Sequence, residues 1–298
     1  MRLIKSIKDI PEHELTVGGG PLCAGCPADI GLKLALKALG ENTIVINASG
    51  CMTLYVTYPN MTTLTPWLHL AIENAAAGAV GVAAALKQLG KKGITIMCYA
   101  GDGATYDIGF QSLSGAVERG DDFVFICYNN QSFSNTGVQM SSATPEGTYT
   151  TTTPLGNPNR RKPMVKIMAA HGIPYAATAC VSYAVDFINK VRKAAEVRGP
   201  AFIDMLAPCP TGWGFEQSKT IEMGRLAVMS GAWPLYEMEG GRFRLTFSPE
   251  KLIPVERYLK PQRRFSHIVK EDMERIQKEI SREWALLKEG KIWQTVEY

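Results

Sequence analysis

The sequence predicts an α/β protein built on a doubly wound parallel sheet. Short runs rich in Val, Ile and Phe alternate with longer helical stretches along the first two thirds of the chain. These runs are almost continuously apolar, which is typical of parallel strands covered by helices on both faces. Strands that alternate with helices indicate βαβ units and therefore a parallel sheet.

The elements can be placed in order along the chain. The predicted strands are 43–48, 93–100, 122–129, 173–179 and 201–207. The predicted helices are 28–39, 67–90, 107–119, 161–171 and 182–197. After residue 218 the pattern changes to a helix, a hairpin-like piece and a charged helix over 266–290 that ends at Gly290. Apolar residues near helical spacing on this last helix predict docking on its own domain or contact with another subunit.

These patterns divide the chain into three parts. Residues 1–22 are predicted to be an N-terminal arm, 23–218 the main domain, and 219–298 a C-terminal extension that contacts another subunit. The net charge of +4 is mild, and no basic run is interleaved with aromatic residues, so nucleic-acid binding is not expected. No secretory signal is evident, and the weakly polar run 75–86 is too short to span a bilayer. We expect a cytoplasmic protein without membrane contact.

Asp102 stands between Gly101 and Gly103, directly after a predicted buried strand. Asn129 and Asn130 end the next strand, one crossover later, so the two sites can meet at the carboxyl edge of the sheet. Carboxylate and amide oxygens suit Mg²⁺ or Ca²⁺, and glycines beside a helix N-terminus admit phosphate groups. Asp102 is therefore predicted to be a metal ligand that holds a diphosphate. The alternative is a simple helix cap.

The seven cysteines form two groups. Three occur in apolar strand-like runs and are predicted to be buried: Cys98, Cys127 and Cys180. Four occur beside Gly or Pro in turn-like sequence: Cys23, Cys26, Cys51 and Cys209. The spacing of the second group favours a [4Fe–4S] cluster with one distant ligand. A structural zinc site, a thioredoxin-like redox pair and unrelated thiols remain alternatives.

The Gly-Asp-Gly stretch followed by the Asn pair resembles the diphosphate-binding half of thiamine-diphosphate enzymes. Over residues 20–235 the chain resembles the β subunit of 2-oxoacid:ferredoxin oxidoreductases, the pyruvate group especially. The resemblance rests on the segments "CAGC", "SGCM", "PWLH…ENAAA", "GDGATYDIG", "SNTGVQMSSATPEGTYTTTTP" and "PCPTGW". Pro27 and the pair Asn129–Asn130 depart from many members and leave the substrate open.

This resemblance implies specific roles for residues. The cysteines that match the cluster ligands are Cys23, Cys26, Cys51 and Cys209. The matching Mg²⁺ ligands are Asp102, the Asn130 side chain and the Ser132 carbonyl. Contacts with thiamine diphosphate are implied for Gly50, Gly101, Asp102, Gly103, Ala104, Asn130, Ser132, Asn135 and Thr136. Asn135 is implied to face the substrate, and Cys51 to lie near both the cofactor and the cluster, so these two are the candidate catalytic residues.

The family's activity is the oxidative decarboxylation of a small 2-oxoacid, with single electrons passed to ferredoxin. Pyruvate is the default substrate, oxalate oxidation without coenzyme A is the alternative, and a non-redox thiamine enzyme is less favoured. The implied partners are an α subunit with the pyrimidine-binding domain and catalytic glutamate, γ and δ subunits, and ferredoxin. Glu73 and His69 are predicted on a helix. Glu73 is interpreted as a structural or interface residue, with a catalytic role as the alternative, and His69 as a hydrogen-bonded helix histidine. A contact with the cofactor pocket is the alternative for His69.

Overall fold

A computed structural model describes residues 3–59 and 61–295. Within them one sheet contains eight strands in the order β2-β1-β3-β4-β6-β5-β7-β8. The strands are β1 (Thr43–Ala48), β2 (Trp67–Leu70), β3 (Thr95–Gly101), β4 (Phe123–Asn129), β5 (Tyr175–Cys180), β6 (Pro200–Leu206), β7 (Leu235–Glu239) and β8 (Arg242–Phe247). The first six strands are parallel, which confirms the predicted α/β fold with a doubly wound parallel sheet.

The helices connect and cover these strands. They are α1 (Pro27–Leu39), α2 (Ala75–Gln88), α3 (Phe110–Arg119), α4 (Met164–Ala170), α5 (Ala184–Glu196), α6 (Pro210–Trp213), α7 (Thr220–Met229), α8 (Glu256–Leu259) and α9 (Lys270–Lys288). A π-helix spans Gly103–Ile108, and 3₁₀ turns span Ile7–Asp9, Cys51–Val56, Gln217–Lys219, Arg263–Phe265 and Ile292–Thr295. No described helix combines the length and apolarity that a bilayer crossing requires.

Hydrophobic cores on both faces of the sheet explain the continuous apolar strands. Met97 of β3 packs in the core that contains Leu32 of α1 and Phe187 of α5. The next residue, Cys98, points to the opposite face, where the core includes α2, α3 and α4 and Trp284 of α9. Because successive strand residues point to opposite faces, both must be apolar. The charged C-terminal helix therefore docks on its own chain through its apolar side.

The C-terminal hairpin continues the main sheet instead of forming a separate layer. Strand β7 pairs antiparallel with β5, with Tyr175 opposite Glu239, and β8 pairs antiparallel with β7. The sheet thus crosses residue 219, where the sequence pattern changes. The boundary drawn there and the expected subunit contact of the extension stay predictions.

The predicted helix over 67–90 is wrong in its first part. Trp67–Leu70 forms β2, which pairs in parallel with β1 at the sheet edge, and α2 begins only at Ala75. The strand is stabilised by backbone hydrogen bonds to β1 and by stacking of Trp67 on Tyr55, with ring centroids 5.7 Å apart. These are long-range contacts, and four residues carry too little periodicity to reveal them.

Other helix ends differ from the predicted ones for local reasons. The helix expected at 107–119 is preceded by the π-helix Gly103–Ile108, and α3 begins at Phe110. The helix expected at 161–171 begins at Met164 because Pro163 precedes it as the N-cap. The helix expected at 266–290 begins at Lys270, and Gly290 follows it with the positive φ of a helix-ending glycine.

A buried ion-pair cluster joins the hairpin to α5. The Glu237 carboxylate, 5% exposed, accepts hydrogen bonds from Lys193 at 2.8 Å, Arg244 at 2.6 Å and the Tyr175 hydroxyl at 3.0 Å. Burial alone raises the pKa of Glu237, but the bonds from Lys193 and Arg244 outweigh it, so the pKa lies below its usual value. The stabilisation is therefore present above the unfolded-state pKa and is lost as pH falls through the lowered one.

We expect Glu237→Gln to reduce the free energy of unfolding at pH 7 by about 2 kcal/mol, because hydrogen bonds to a charged group are lost. The loss should shrink as pH falls below 4.5, the ordinary glutamate value. Urea unfolding measures both effects. Glu239→Gln is the matched control, since its half-exposed carboxylate also pairs with Lys193 but is screened by solvent. Equal losses for the two variants would contradict the assignment.

Candidate active site

The carboxyl ends of four adjacent parallel strands form one edge of the sheet, and the predicted site residues follow them. Strand register places Gly101 beside Tyr128 and Asn129 beside Leu206. Asp102 and Asn130 therefore leave neighbouring strands, while Cys51 follows β1 and Cys209 follows β6. Helix α1 precedes β1 and runs against it, so its N-terminal residue Cys26 comes to the same edge.

Asp102 is buried at this edge, with 1% of its surface exposed. The backbone N–H of Asn130 donates to its Oδ1 at 3.2 Å, and the Ser141 hydroxyl donates to its Oδ2 at 2.5 Å. Burial raises the pKa of the Asp102 carboxyl to about 7, against the effect of these hydrogen bonds. A buried carboxylate without a paired cation is costly, so the position suits an acid that binds a metal ion.

The side chain of Asn130 faces the same point. One terminal atom of its carboxamide lies 2.9 Å from Asp102 Oδ1 and 2.7 Å from the carbonyl oxygen of Ser132. With the amide nitrogen there, the group donates to both oxygens; with the amide oxygen there, three oxygens converge. The second arrangement is repulsive unless a cation lies among the oxygens. The structure thus brings together Asp102, Asn130 and Ser132, as the sequence predicts.

The glycines beside Asp102 have a packing role. A Cβ on Gly103 would lie 2.2 Å from the ring of Phe133, and a Cβ on Gly101 would lie 3.1 Å from the ring of Tyr128. Both glycines are therefore needed for close approach of aromatic neighbours. The N-terminal N–H groups of the π-helix over Gly103–Ile108, which includes Ala104, also begin here, and such groups attract anions.

The side chain of Asn129 does not face Asp102 but forms hydrogen bonds within the protein. Its amide donates to the Tyr106 hydroxyl and to Asp204 Oδ1, each at 3.0 Å, and Tyr106 donates to the other Asp204 oxygen. Its own oxygen accepts the N–H of Gln131 at 3.1 Å. This buried network fixes the turn that follows β4, which carries Asn130.

The four turn cysteines surround one region of this edge. Cys26 and Cys209 occupy the N-caps of α1 and α6, and Cys51 begins the 3₁₀ turn after β1. Cys23 is exposed and lies 3.8 Å from the hydroxyl of Thr211, two residues beyond Cys209. Cys98, Cys127 and Cys180 are buried in the cores, as predicted.

The turn cysteines interact electrostatically with one another. Burial raises the pKa of the Cys26 thiol to about 11 and that of Cys51 to about 12, and the Cys209 thiol raises both further. Burial also raises the pKa of Cys209, on which Cys23 acts in the same direction. In residues 3–59 and 61–295, no three His, Cys, Asp or Glu side chains are close enough to bind a single metal ion.

The cysteine region adjoins the Asp102 region. A Cβ on Gly212 would lie 3.1 Å from the Ser134 hydroxyl and 3.4 Å from Cys209 Sγ, so this glycine separates the two loops. The N–H of Gly212 donates to Cys209 Sγ at 3.2 Å, and the pKa of Cys51 is raised further by the charge of Asp102. A group held by the thiols would therefore neighbour one held by Asp102.

The remaining candidates lie at the surface around this edge. Asn135 and Thr136 are in an exposed turn closed by the backbone bond from Val138 N–H to the carbonyl of Phe133. A Cβ on Gly50 would lie 2.9 Å from the Tyr128 hydroxyl, next to Cys51. Asn135 and Gly50 are thus at the same edge, but no contact with Asp102 fixes their roles.

His69 and Glu73 are not on a helix, contrary to the prediction. His69 lies on β2, where its Nδ1 is 2.7 Å from Asn47 Oδ1 and its Nε2 is 3.2 Å from the Ser49 hydroxyl. Glu73 lies in the turn between β2 and α2. The prediction of a helix at 67–90 caused this error.

Sequence reasoning missed two residues that complete the site. Ser141 hydrogen-bonds Asp102, and the indole N–H of Trp213 donates to the Asn130 carbonyl at 2.8 Å. Both are within segments that were already quoted for the family resemblance. Nothing in their local pattern indicates a partner 39 or 83 residues away.

Comparison with known proteins places this site in a class. The family described as "Thiamine pyrophosphate enzyme, C-terminal TPP binding domain" matches residues 48–205. The 2-oxoglutarate:ferredoxin oxidoreductase of Magnetococcus marinus shares the fold, with a TM-score of 0.60 at 17% identity over 92% of this chain and 98% of that chain. The fold and the site therefore define the diphosphate-binding part of a thiamine-diphosphate enzyme.

Closer relatives narrow the class. Pyruvate synthase subunit PorB of Methanothermobacter thermautotrophicus is 51% identical over 274 residues, which cover 90% of this chain and 95% of that protein. Ketoisovalerate oxidoreductase subunit VorB of Pyrococcus furiosus is 43% identical over 298 residues and 96% of each chain. The chain belongs to the β subunits of the 2-oxoacid:ferredoxin oxidoreductases.

We expect Asp102→Asn to weaken the binding of thiamine diphosphate in the presence of Mg²⁺ by roughly 10- to 100-fold, because a charged metal ligand is lost. Calorimetric titration of the assembled complex under argon measures this affinity, and the iron content should not change. Asp122→Asn is the matched control, because Asp122 lies at the opposite end of β4 from the site and its carboxylate accepts a hydrogen bond from the N–H of Gly199. Unchanged affinity in the Asp102 variant would count against the metal role.

Proposed function

We propose that this subunit binds thiamine diphosphate through Mg²⁺, holds a [4Fe–4S] cluster beside it, and serves the oxidation of pyruvate with ferredoxin as electron acceptor. One observation supports this most strongly. The Asp102 carboxylate, the Asn130 carboxamide and the Ser132 carbonyl converge at the sheet edge where Cys209 and the other turn cysteines also lie.

With the Asn130 amide oxygen turned inward, the three groups would offer Mg²⁺ oxygens of suitable chemistry and spacing. Carboxylate, amide and carbonyl oxygens are hard ligands, and Mg²⁺ bonds of 2.0–2.1 Å in an octahedron put neighbouring oxygens about 3 Å apart. The separations of 2.9 and 2.7 Å from the Asn130 carboxamide to Asp102 and Ser132 are close to that value. Three protein ligands leave positions for two diphosphate oxygens and water.

The chain's own residues bind and orient the cofactor. Asp102, Asn130 and Ser132 hold the metal, while the π-helix N-terminus over Gly103 and Ala104 favours the diphosphate charge. Gly50, Gly101 and Thr136 are assigned to the cofactor's surroundings, and Asn135 and Cys51 to the side that meets the substrate. When bound, thiamine diphosphate supplies the nucleophilic carbon and the electron sink for decarboxylation.

A [4Fe–4S] cluster explains the cysteines better than zinc or a redox pair. Zinc holds its four thiolates about 3.8 Å apart, given Zn–S bonds of 2.3 Å, whereas no three acidic, Cys or His side chains of the described chain form such a compact group. An iron–sulfur cube spaces its thiolates more widely. A redox pair of Cys23 and Cys26 would leave unexplained Cys51 and Cys209, which act electrostatically on one another.

The substrate is proposed from the relatives. The 51%-identical protein is a pyruvate synthase subunit, and the 43%-identical protein acts on ketoisovalerate by its name. Pyruvate is accordingly the proposed substrate, with coenzyme A as acyl acceptor, and these relatives do not favour oxalate. Pro27 and the Asn129–Asn130 pair do not contradict this, because Pro27 is the first residue of α1 and Asn129 is bound within the protein.

The active site is proposed to be divided between subunits. The names of the relatives imply a complex of several subunits. We assign the pyrimidine-binding domain and its catalytic glutamate to an α subunit, with γ and δ subunits and ferredoxin as further partners. The exposed turn with Asn135 and Thr136 and the exposed strand β2 with His69 would then be covered on assembly. A cytoplasmic location stays a prediction.

We expect Cys209→Ser to lower the iron content and to change the EPR signal of the reduced cluster, because a thiolate ligand is replaced by a weaker one. Cys98→Ser is the matched control. Cys98 is buried in the core and its Sγ lies 3.4 Å from the Ala75 carbonyl, a bond that Ser can also make. Four irons and an unchanged signal in the Cys209 variant would remove Cys209 from the ligand set.

We expect the isolated chain to show no steady turnover and to bind thiamine diphosphate weakly, because the catalytic glutamate is on the partner. The complex purified under argon should reduce a viologen dye with pyruvate and coenzyme A. Oxalate without coenzyme A serves as the comparison substrate. Turnover by the isolated chain would refute the divided site. Turnover of the complex with oxalate but not with pyruvate and coenzyme A would refute pyruvate as the substrate.

A further inference from the structure

A buried arginine from the C-terminal part of the chain contacts a residue of each of the two segments that carry the proposed cofactor sites. Arg264 is 4% exposed. Its Nη2 donates to Gln131 Oε1 at 2.7 Å and its Nε donates to Gln262 Oε1 at 2.8 Å. Its guanidinium stacks on the ring of Trp213, with Cζ 3.9 Å from the ring centroid.

Arg264 is a charge without a local counter-charge. In the described part of the chain its guanidinium forms no ion pair with Asp or Glu; its bonded carboxamides are neutral. Burial lowers the pKa of Arg264 to about 10, and the groups that act in the opposite direction are Tyr258 first, then Cys209 and Asp102. A buried cation is costly unless an anion compensates it. Apart from the Tyr258 phenol, the ionisable groups that act on Arg264 are thus those assigned to the cluster and to the metal.

The bond to Gln131 bears on the shape of the metal-binding turn. Gln131 separates Asn130 from Ser132 and has a φ of +64°, a left-handed conformation that non-glycine residues rarely adopt. Its carbonyl accepts the Thr144 hydroxyl at 2.7 Å, and its side chain accepts Arg264. These bonds hold the turn so that Asn130 and Ser132 both face Asp102.

The stacking on Trp213 connects Arg264 to the cluster side. Trp213 ends α6, the short helix that Cys209 caps, and the backbone N–H of Trp213 donates to the Cys209 carbonyl at 2.8 Å. The indole N–H of the same residue donates to the Asn130 carbonyl. One indole therefore separates the guanidinium from the segments that carry both ligand sets.

We propose that Arg264 is a positioning residue for both cofactors: its bond to Gln131 holds the metal-binding turn, and its buried charge compensates the thiolates at Cys209. This proposal rests on the function proposed above. An apolar side chain would fill the same space at a lower desolvation cost. A positive charge near a cluster favours the reduced state, because reduction adds a negative charge.

The test compares Arg264→Gln, Arg264→Lys and the control Arg263→Gln in the complex assembled under argon. Arg263 is the exposed neighbouring residue, and its replacement by Gln removes the same charge. An EPR-monitored redox titration gives the midpoint potential of the cluster assigned to the four turn cysteines, and calorimetry gives the affinity for thiamine diphosphate with Mg²⁺. A purely structural residue would not move the potential of a fully loaded cluster.

We expect Arg264→Gln to make the potential more negative and to weaken cofactor binding roughly ten-fold, as a charged hydrogen bond is lost. Arg264→Lys should keep the potential but weaken binding, because Lys lacks the planar fork that reaches both glutamines. Arg263→Gln should change neither. A wild-type potential in a fully loaded Gln variant, or wild-type affinity in the Lys variant, overturns the proposal.

Two further results of the experiment also bear on the proposal. If the Gln variant does not assemble, the Lys variant decides, since unchanged cofactor affinity there still overturns the proposal. Equal shifts in the Arg263 and Arg264 variants also overturn it, because burial would then be irrelevant. Failure of the proposed function is separate: the wild-type complex itself would lack four irons or Mg²⁺-dependent cofactor binding.

Discussion

The side-by-side ending of β3 and β4 is the constraint on which the rest of the site depends. Because Gly101 pairs with Tyr128, Asp102 and Asn130, one and two residues further on, leave the sheet at one point and meet. The packing of aromatic rings on Gly101 and Gly103 keeps this corner tight. Parallel pairing thus brings two residues that are 28 positions apart in sequence within hydrogen-bonding distance.

The same corner concentrates buried groups that ionise to anions. Burial raises the pKa of the Asp102 carboxyl and of the Cys26 and Cys51 thiols, and in each case the anionic form is the one that binds metal. Binding of a cation therefore removes the cost that folding imposes here. A site that is electrostatically unfavourable when empty has a large free-energy gain available for cofactor binding.

The sequence predicts most of what is local and little of what is long-range. Apolar continuity predicted the parallel strands, and the Gly-Asp-Gly stretch and the Asn pair predicted the corner where Asp102 and Asn130 meet, because each signal is local. The edge strand at Trp67–Leu70 was missed because it depends on pairing with β1. Ser141 and Trp213 were missed for the same reason, since their partners are distant in sequence and their residue types are ordinary.

The C-terminal part of the chain shows how this limit affects domain boundaries. Composition separates residues 219–298 from the main domain, yet β7 pairs with β5, Trp284 packs in a core under the sheet, and Arg264 bonds Gln131 in the turn after β4. A boundary drawn from sequence pattern depends only on the order of residues along the chain. The part of the protein that is stabilised as one unit depends on tertiary contacts, which cross this boundary. Since the turn after β4 is held from both sides, the shape of the cofactor site depends on folding of the last third of the chain.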